Sequence, residues 1–150
     1  MSTVEVQSLR VELRGSRVDV IDDISFSIEA GEVLGLVGES GSGKTTAGVA
    51  LLGDARPGAR IAGGSVLIDG TDVFDLTYDE LQDFRGRVIS YVPQDPAAAL
   101  NPALRVGRQL AEIIEVHERN VSPRAVRERI EECLEEVNLP ATDSFLRRFP

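Results

Sequence analysis

A glycine-rich loop carries the residues of this chain that are best suited to chemistry. It reads Gly38-Glu39-Ser40-Gly41-Ser42-Gly43-Lys44-Thr45-Thr46 and fits the pattern G-x-x-x-x-G-K-[ST]. Glycines permit backbone conformations in which successive N–H groups point at one anion. Lys44, the only lysine of the chain, supplies a charge for the outer phosphates, and the Thr45 hydroxyl can ligate Mg²⁺. The loop therefore predicts a site for the phosphates of a nucleoside triphosphate.

Two elements must position this loop, one on each side. Val33-Leu34-Gly35-Leu36-Val37 is apolar at every position, which predicts a central strand buried in a parallel sheet. A helix predicted from Lys44 to about Gly53 turns its positive end towards the same phosphates. A second buried strand is predicted over Val88–Val92. This arrangement is typical of an α/β nucleotide-binding core.

Antiparallel strands are predicted around this core. Apolar residues roughly alternate over Val4–Leu13, and the β pattern continues over Val18–Val20 and Ile24–Ile28. The next segment after the glycine-rich loop and its helix, Asp54–Gly64, is rich in Gly, Pro and Ala and predicts a loop. The sequence thus predicts a β layer that precedes the phosphate site.

Short-range turn and capping signals follow. A hairpin is predicted over Ser65–Val73, with its turn at Asp69-Gly70. Thr77-Tyr78-Asp79-Glu80 has the form of a capping box, which predicts a short helix towards Arg85.

The last third of the chain predicts helices. One covers Val106–Glu118, and another begins at the cap Ser122-Pro123 and runs to Val137. The second helix has one apolar face at helical spacing, made by Val126, Ile130, Cys133, Leu134 and Val137. We therefore expect Cys133 in the core of this helical section.

Composition limits the class of protein. The chain has 150 residues, enough for one domain, and a formal net charge of −9. That charge argues against nucleic-acid binding and against direct adhesion to an anionic membrane. The single cysteine permits no internal disulfide, and neither a signal peptide nor a membrane span is recognisable. We expect a soluble, cytoplasmic protein.

A glutamine after the second predicted core strand narrows the class. Gln94 lies 50 residues after Lys44, and helices follow it. This order of elements resembles the nucleotide-binding domain of ATP-binding-cassette (ABC) transporters. The stretch Gln94–Pro102 looks like the Q-D-P-x-x-x-L-N-P segment of the oligopeptide/dipeptide importer group, and the loop wording with Glu39 is similar to that group's. The resemblance implies an α/β P-loop NTPase of ABC type, with a RecA-like core, an antiparallel β-subdomain and the start of a helical subdomain.

The resemblance also implies a division of the chain. Residues 1–30 and 63–76 would form the β-subdomain, residues 31–62 and 77–100 the core, and residues 101–150 the helical subdomain. The L-S-G-G-Q signature, the second acidic motif with its catalytic glutamate, and the switch histidine of the family are not found in the sequence. The resemblance therefore implies a truncated domain, about the first half, that hydrolyses ATP negligibly by itself.

Roles for single residues follow from the same resemblance. Residues 38–46 would hold the triphosphate of ATP, with Lys44 and Gln94 as catalytic residues and with Thr45 and Gln94 sharing a Mg²⁺ ion. Family members usually carry an aromatic residue upstream that stacks on adenine, but the likely place here contains none. Arg17 could lay its guanidinium plane on the base there, or Val18 could pack against it.

The implied function is an ATP-hydrolysing subunit that powers an ABC importer of dipeptides or oligopeptides. Its partners would be transmembrane permease subunits, a second ATP-binding subunit in a homo- or heterodimer and, indirectly, a solute-binding protein, with no nucleic acid. It would lie on the cytoplasmic face of the plasma membrane. The alternatives are an ABC-type ATPase without a transport role and a P-loop small-molecule kinase, which the β layer before the loop and the lack of an arginine-rich lid disfavour.

Overall fold

The computed structural model describes residues 3–94, 99–118 and 120–150. Internal contacts divide the chain into two units, Met1–Tyr91 and Val92–Pro150. The elements of the first unit are β1 (Val4–Leu13), β2 (Asp19–Ile28), α1 (Lys44–Ala50), β3 (Ala59–Ile68), β4 (Thr71–Asp72) and α2 (Tyr78–Phe84). Those of the second unit are α3 (Val106–His117), α4 (Pro123–Glu136) and α5 (Asp143–Leu146).

The first unit is built on an antiparallel sheet with the strand order β2-β1-β3-β4. The prediction of a strand over Val4–Leu13 is confirmed, and Val6 near its start pairs with Phe26 of β2 and Val66 of β3. Apolar side chains from these strands and from α1 form one buried cluster, which includes Val6, Leu9, Val11, Ile21, Ala47, Ala50, Val66 and Ile68. Burial of this shared face joins the helix after the glycine-rich loop to the sheet.

β3 begins earlier than the sequence predicts, and the predicted loop over Asp54–Gly64 is wrong for its last residues. Ala59 pairs with Leu13 and Ile61 with Val11, so the small residues at the start of β3 are held by backbone hydrogen bonds to β1. Alanine and glycine favour a strand only weakly by themselves, but β1 supplies hydrogen-bond partners that hold this segment in the sheet.

Two predicted core strands are also wrong. Val33–Val37 has no regular secondary structure, and Val33 and Val37 are 93% and 96% exposed. Val88–Val92 contains only an isolated bridge, between Arg85 and Ile89. A buried parallel strand needs a hydrogen-bonded neighbour on each side, and no strand among the described residues pairs with either segment.

The local turn and cap predictions are confirmed. β3 and β4 form the hairpin around Asp69-Gly70, where both residues have positive φ. At the start of α2 the Glu80 amide donates to Thr77 Oγ1 at 3.4 Å, and the Thr77 amide donates to Glu80 Oε2 at 2.9 Å. This reciprocal pair satisfies N–H groups that the helix itself leaves unpaired.

The second unit packs its helices around a small apolar core. Its buried residues are Val126, Ile130, Leu134 and Leu146. The helices α3 and α4 match the predictions to within a residue at each end, and Ser122 accepts a hydrogen bond from the Ala125 amide as the predicted N-cap. Cys133 is exposed rather than in the core, because it lines an open apolar groove together with residues of α3, which include Leu110 and Ile113. No helix among the described residues has the length and apolar character needed to cross a bilayer.

Candidate nucleotide-binding site

The glycine-rich loop leads directly into α1 through residues in left-handed conformations. Gly43, the residue before the first turn of α1, has φ +89°, and Gly41 has φ +85°. A Cβ on Gly43 would also lie only 3.0 Å from the carbonyl oxygen of Val20. Glycine is therefore required at this position by both the backbone conformation and the closeness of β2.

The Lys44 ammonium is held by its own loop. Its Nζ donates to the carbonyl oxygens of Gly38 and Glu39, each at 2.6 Å, and to Ser42 Oγ at 3.2 Å. Lys44 is half-buried, so these acceptors replace part of its hydration. The arrangement keeps a positive charge at the N-terminus of α1, where the helix dipole also favours an anion.

The two threonines after Lys44 point in different directions. Thr46 is only 7% exposed, whereas Thr45 is exposed. An exposed hydroxyl one residue after the lysine can ligate a hard cation such as Mg²⁺, which binds oxygen ligands and keeps several waters. The loop thus offers main-chain N–H groups, one ammonium and one hydroxyl, and this donor set fits a magnesium-bound polyphosphate.

A cavity of about 260 Å³ lies beside the loop. Its wall includes four residues of β2 that the sequence did not single out, Val20, Ile21, Asp22 and Ile24. The other lining residues are Leu36, Val37, Ser42, Gly43, Lys44 and Ala47. The approach of β2 to the loop depends on pairing in the sheet, and no local pattern in the sequence reveals it.

The remaining predicted site residues, Arg17 and Gln94, lie outside the glycine-rich loop in the sequence. Arg17 is exposed in the turn between β1 and β2, and Gln94 is exposed in the second unit. Of the segment Gln94–Pro102, residues 95–98 lie outside the described residues. Its end is held to α3, because the Asn101 amide donates to Gln109 Oε1 at 2.9 Å and Gln109 Nε2 donates to the Asn101 carbonyl at 3.0 Å. The roles of Arg17 and Gln94 stay predictions.

The sequence of this chain is similar to those of known transport proteins. The ABC transporter family profile matches residues 21–149. The chain is 41% identical to the oligopeptide transport ATP-binding protein OppD of Mycobacterium tuberculosis over 98% of its length, and it spans 24% of that protein. It is 38% identical to OppD of Escherichia coli and 35% identical to the dipeptide transport ATP-binding protein DppD of Lactococcus lactis, again over 98% of its length. It spans 44% and 43% of these two proteins, less than half of each.

Solved structures show the same fold. The dimeric structure of MJ0796, a bacterial ABC transporter cassette, has a TM-score of 0.77 and 25% identity. The structure of that cassette in a post-hydrolysis state, bound to ADP and Pi, has a TM-score of 0.75 and 24% identity. Each comparison covers 98% of this chain and 61% of the solved chain. The fold is therefore that of an α/β ABC ATPase cassette, of which this chain spans a part, and the chain belongs to the ABC transporter family.

Proposed function

We propose that the chain is part of the ATP-binding subunit of an ABC importer for dipeptides or oligopeptides. The observation that carries the proposal is the position of Lys44, held over the loop by the carbonyls of Gly38 and Glu39 at the N-terminus of α1. The peptide class is supported by the names of relatives that are 35% to 41% identical over almost the whole chain.

In this proposal the residues of the glycine-rich loop bind the nucleotide together with Gln94 and Arg17. Residues 38–46 hold the triphosphate of ATP, with Lys44 beside the β- and γ-phosphates, where it exchanges loop carbonyls for phosphate oxygens. The Thr45 hydroxyl and the Gln94 carbonyl would hold a Mg²⁺ ion, which would neutralise phosphate charge when bound. Gln94 also orients the attacking water through its amide, and Arg17 lies against the base.

The proposal extends to the organisation and the partners of the whole subunit. Residues 1–30 and 63–76 form the β-subdomain, residues 31–62 and 77–100 the core, and residues 101–150 the helical subdomain. The subunit pairs with a second ATP-binding subunit and with transmembrane permeases on the cytoplasmic face of the plasma membrane, and a solute-binding protein delivers the peptide. The dimeric cassette structures support the pairing of two ATP-binding subunits.

Nucleotide binding tests the proposal directly. In calorimetry with MgATP, the 150-residue chain should bind, and Lys44→Ala should abolish the binding heat because no other lysine can replace the ammonium. Arg56→Ala removes the same charge at an exposed residue outside the loop and should leave the affinity unchanged. Equal affinity in the Lys44→Ala variant would contradict the proposal.

Membrane association tests the transport role separately. A full-length subunit that carries this chain should co-purify with integral-membrane subunits, whereas an ABC-type ATPase without a transport role should purify alone. A phosphotransfer product with a small-molecule acceptor would instead support a kinase.

A further inference from the structure

A cavity of about 440 Å³ in the second unit lies among α3, α4 and α5, away from the residues of the glycine-rich loop in sequence. Its lining combines an apolar floor with a charged rim. The floor residues are Ala111, Val126, Ile130 and Leu146, and the charged residues of the rim are Arg105, Arg108, Glu115, Arg127, Asp143 and Arg147.

Both acidic residues of the rim are already paired. Glu115 lies 3.5 Å from Arg108, and Asp143 lies 2.7 Å from Arg127. Arg127 also pairs with Glu131, and the hydrogen bonds that Arg127 donates to Glu131 and Asp143 raise its pKa above the ordinary value. These carboxylates are therefore not available to neutralise the other two arginines of the rim.

Arg105 and Arg147 differ from the other two arginines of the rim in their partners. Neither forms an ion pair with a carboxylate in the part of the chain that the structure describes. Arg105 places its Cζ 5.8 Å from the centre of the Phe149 ring, a contact that does not neutralise a guanidinium. Each side chain presents a fork of N–H donors that matches a carboxylate.

The backbone brings these two arginines to one end of the cavity. The Val106 amide donates to the Arg148 carbonyl at 2.9 Å, which links the residues next to Arg105 and Arg147. Gly107 packs so closely on Leu146 that a Cβ on it would lie 2.9 Å from Leu146 Cβ. Two cations that have no carboxylate partner among the described residues thus lie at the rim of an apolar cavity. The net charge of the whole chain is −9.

We propose that this cavity binds an acidic segment of a partner polypeptide, with carboxylates at Arg105 and Arg147 and an aliphatic side chain on the floor. A polypeptide segment fits better than a simple anion because it can supply a carboxylate and an apolar group together. The proposal does not use the nucleotide site, so it stands or fails independently of the proposed function.

The test uses a fluorescein-labelled peptide made of Glu-Glu-Leu repeats, titrated with the 150-residue chain in low salt. The matched probe is the Gln-Gln-Leu peptide, which has the same apolar residues without the charges. We expect anisotropy to show binding of the first peptide only, and the binding to weaken as salt rises. Equal binding of the two peptides, or no binding of the first, overturns the proposal without the need for any variant.

Substitutions then locate the site. The double substitution Arg105→Gln and Arg147→Gln should weaken binding about five- to tenfold, since both side chains are exposed and each contact is worth little alone. The control replaces Arg124 and Arg129 by Gln; it removes two charges from the same unit, at side chains 88% and 48% exposed and outside the cavity lining. Equal losses in the two double variants would overturn the assignment to this cavity. Lys44→Ala should leave peptide binding unchanged.

Discussion

Lys44 Nζ lies 2.6 Å from the carbonyl oxygen of Gly38, so the cation of the glycine-rich loop is bound by the residue that begins the loop. A polyphosphate must therefore exchange with these internal acceptors rather than meet a bare ammonium. Because the Lys44 hydrogen bonds depend on how the loop is curled, the conformation of its glycines should also affect nucleotide affinity.

Replacement of Gly43 tests this dependence. Gly43→Ala places a Cβ 3.0 Å from the Val20 carbonyl in a left-handed conformation that costs about 1–2 kcal/mol for an L-residue. We expect MgATP affinity in calorimetry to fall about tenfold or more. Gly48→Ala on α1 is the control, because its added Cβ meets no atom within 4 Å and alanine favours a helix by about 0.5–1 kcal/mol. If both variants bind alike, loop curvature does not set the affinity.

The sheet offers a second matched pair of glycines, at the bulge between β1 and β3. Gly64 has φ +87°, and a Cβ there would lie 2.4 Å from the Ser8 carbonyl oxygen. Gly63, its neighbour, has open space within 4 Å. Gly64→Ala should lower the free energy of unfolding by at least about 2 kcal/mol, whereas Gly63→Ala should change it little. Urea unfolding followed by circular dichroism measures both, and similar midpoints would contradict the close approach of the two backbones.

The sequence predicted those features that depend on a few neighbouring residues. The capping box at Thr77 and Glu80 and the turn at Asp69-Gly70 form from local hydrogen bonds and backbone preferences, so their patterns are sufficient. The strand over Val4–Leu13 was predicted because one of its faces is buried and the apolar residues alternate accordingly.

The features that were missed depend on partners distant in the chain. The predicted strands Val33–Val37 and Val88–Val92 have apolar residues throughout, but apolar character alone cannot supply the neighbouring strand that a parallel sheet needs. The start of β3 at Ala59 likewise depends on its pairing with Leu13 of β1. The exposure of Cys133 depends on how α3 lies beside α4. At the candidate site, the pattern predicted the loop itself but not the wall that β2 contributes.

The capping box at α2 should depend on pH. Hydrogen bonds from the Thr77 side chain and backbone hold the pKa of Glu80 below its ordinary value of 4.5. A carboxylate with a lowered pKa stabilises the folded state above its unfolded pKa, and this contribution is lost as pH falls through the folded pKa. In NMR titrations we expect the helical Cα chemical shifts of residues 78–84 to weaken only as the pH falls below that ordinary value.

The variant Glu80→Gln separates this effect from general acid unfolding. Its amide oxygen can still accept the Thr77 hydrogen bond, but it does not titrate. The shifts of residues 78–84 in this variant should stay constant over the window in which those of the unmodified chain change. A Glu80 side-chain shift that titrates at or above 4.5 would show that the hydrogen bonds do not lower its pKa.

The two apolar segments without strand partners should make this 150-residue chain self-associate. Val33 and Val37 are 93% and 96% exposed, and their backbone groups have no strand partner among the described residues, so they can pair with another molecule. Light scattering at increasing concentration should show oligomers, and Val33→Asp with Val37→Asp should reduce them without loss of the β signal. The control Val66→Asp places a charge at a residue 0% exposed in the core and should unfold the chain instead. If the double aspartate variant scatters as much as the unmodified chain, association arises from another surface. The apolar groove that Cys133 lines is then the next surface to test.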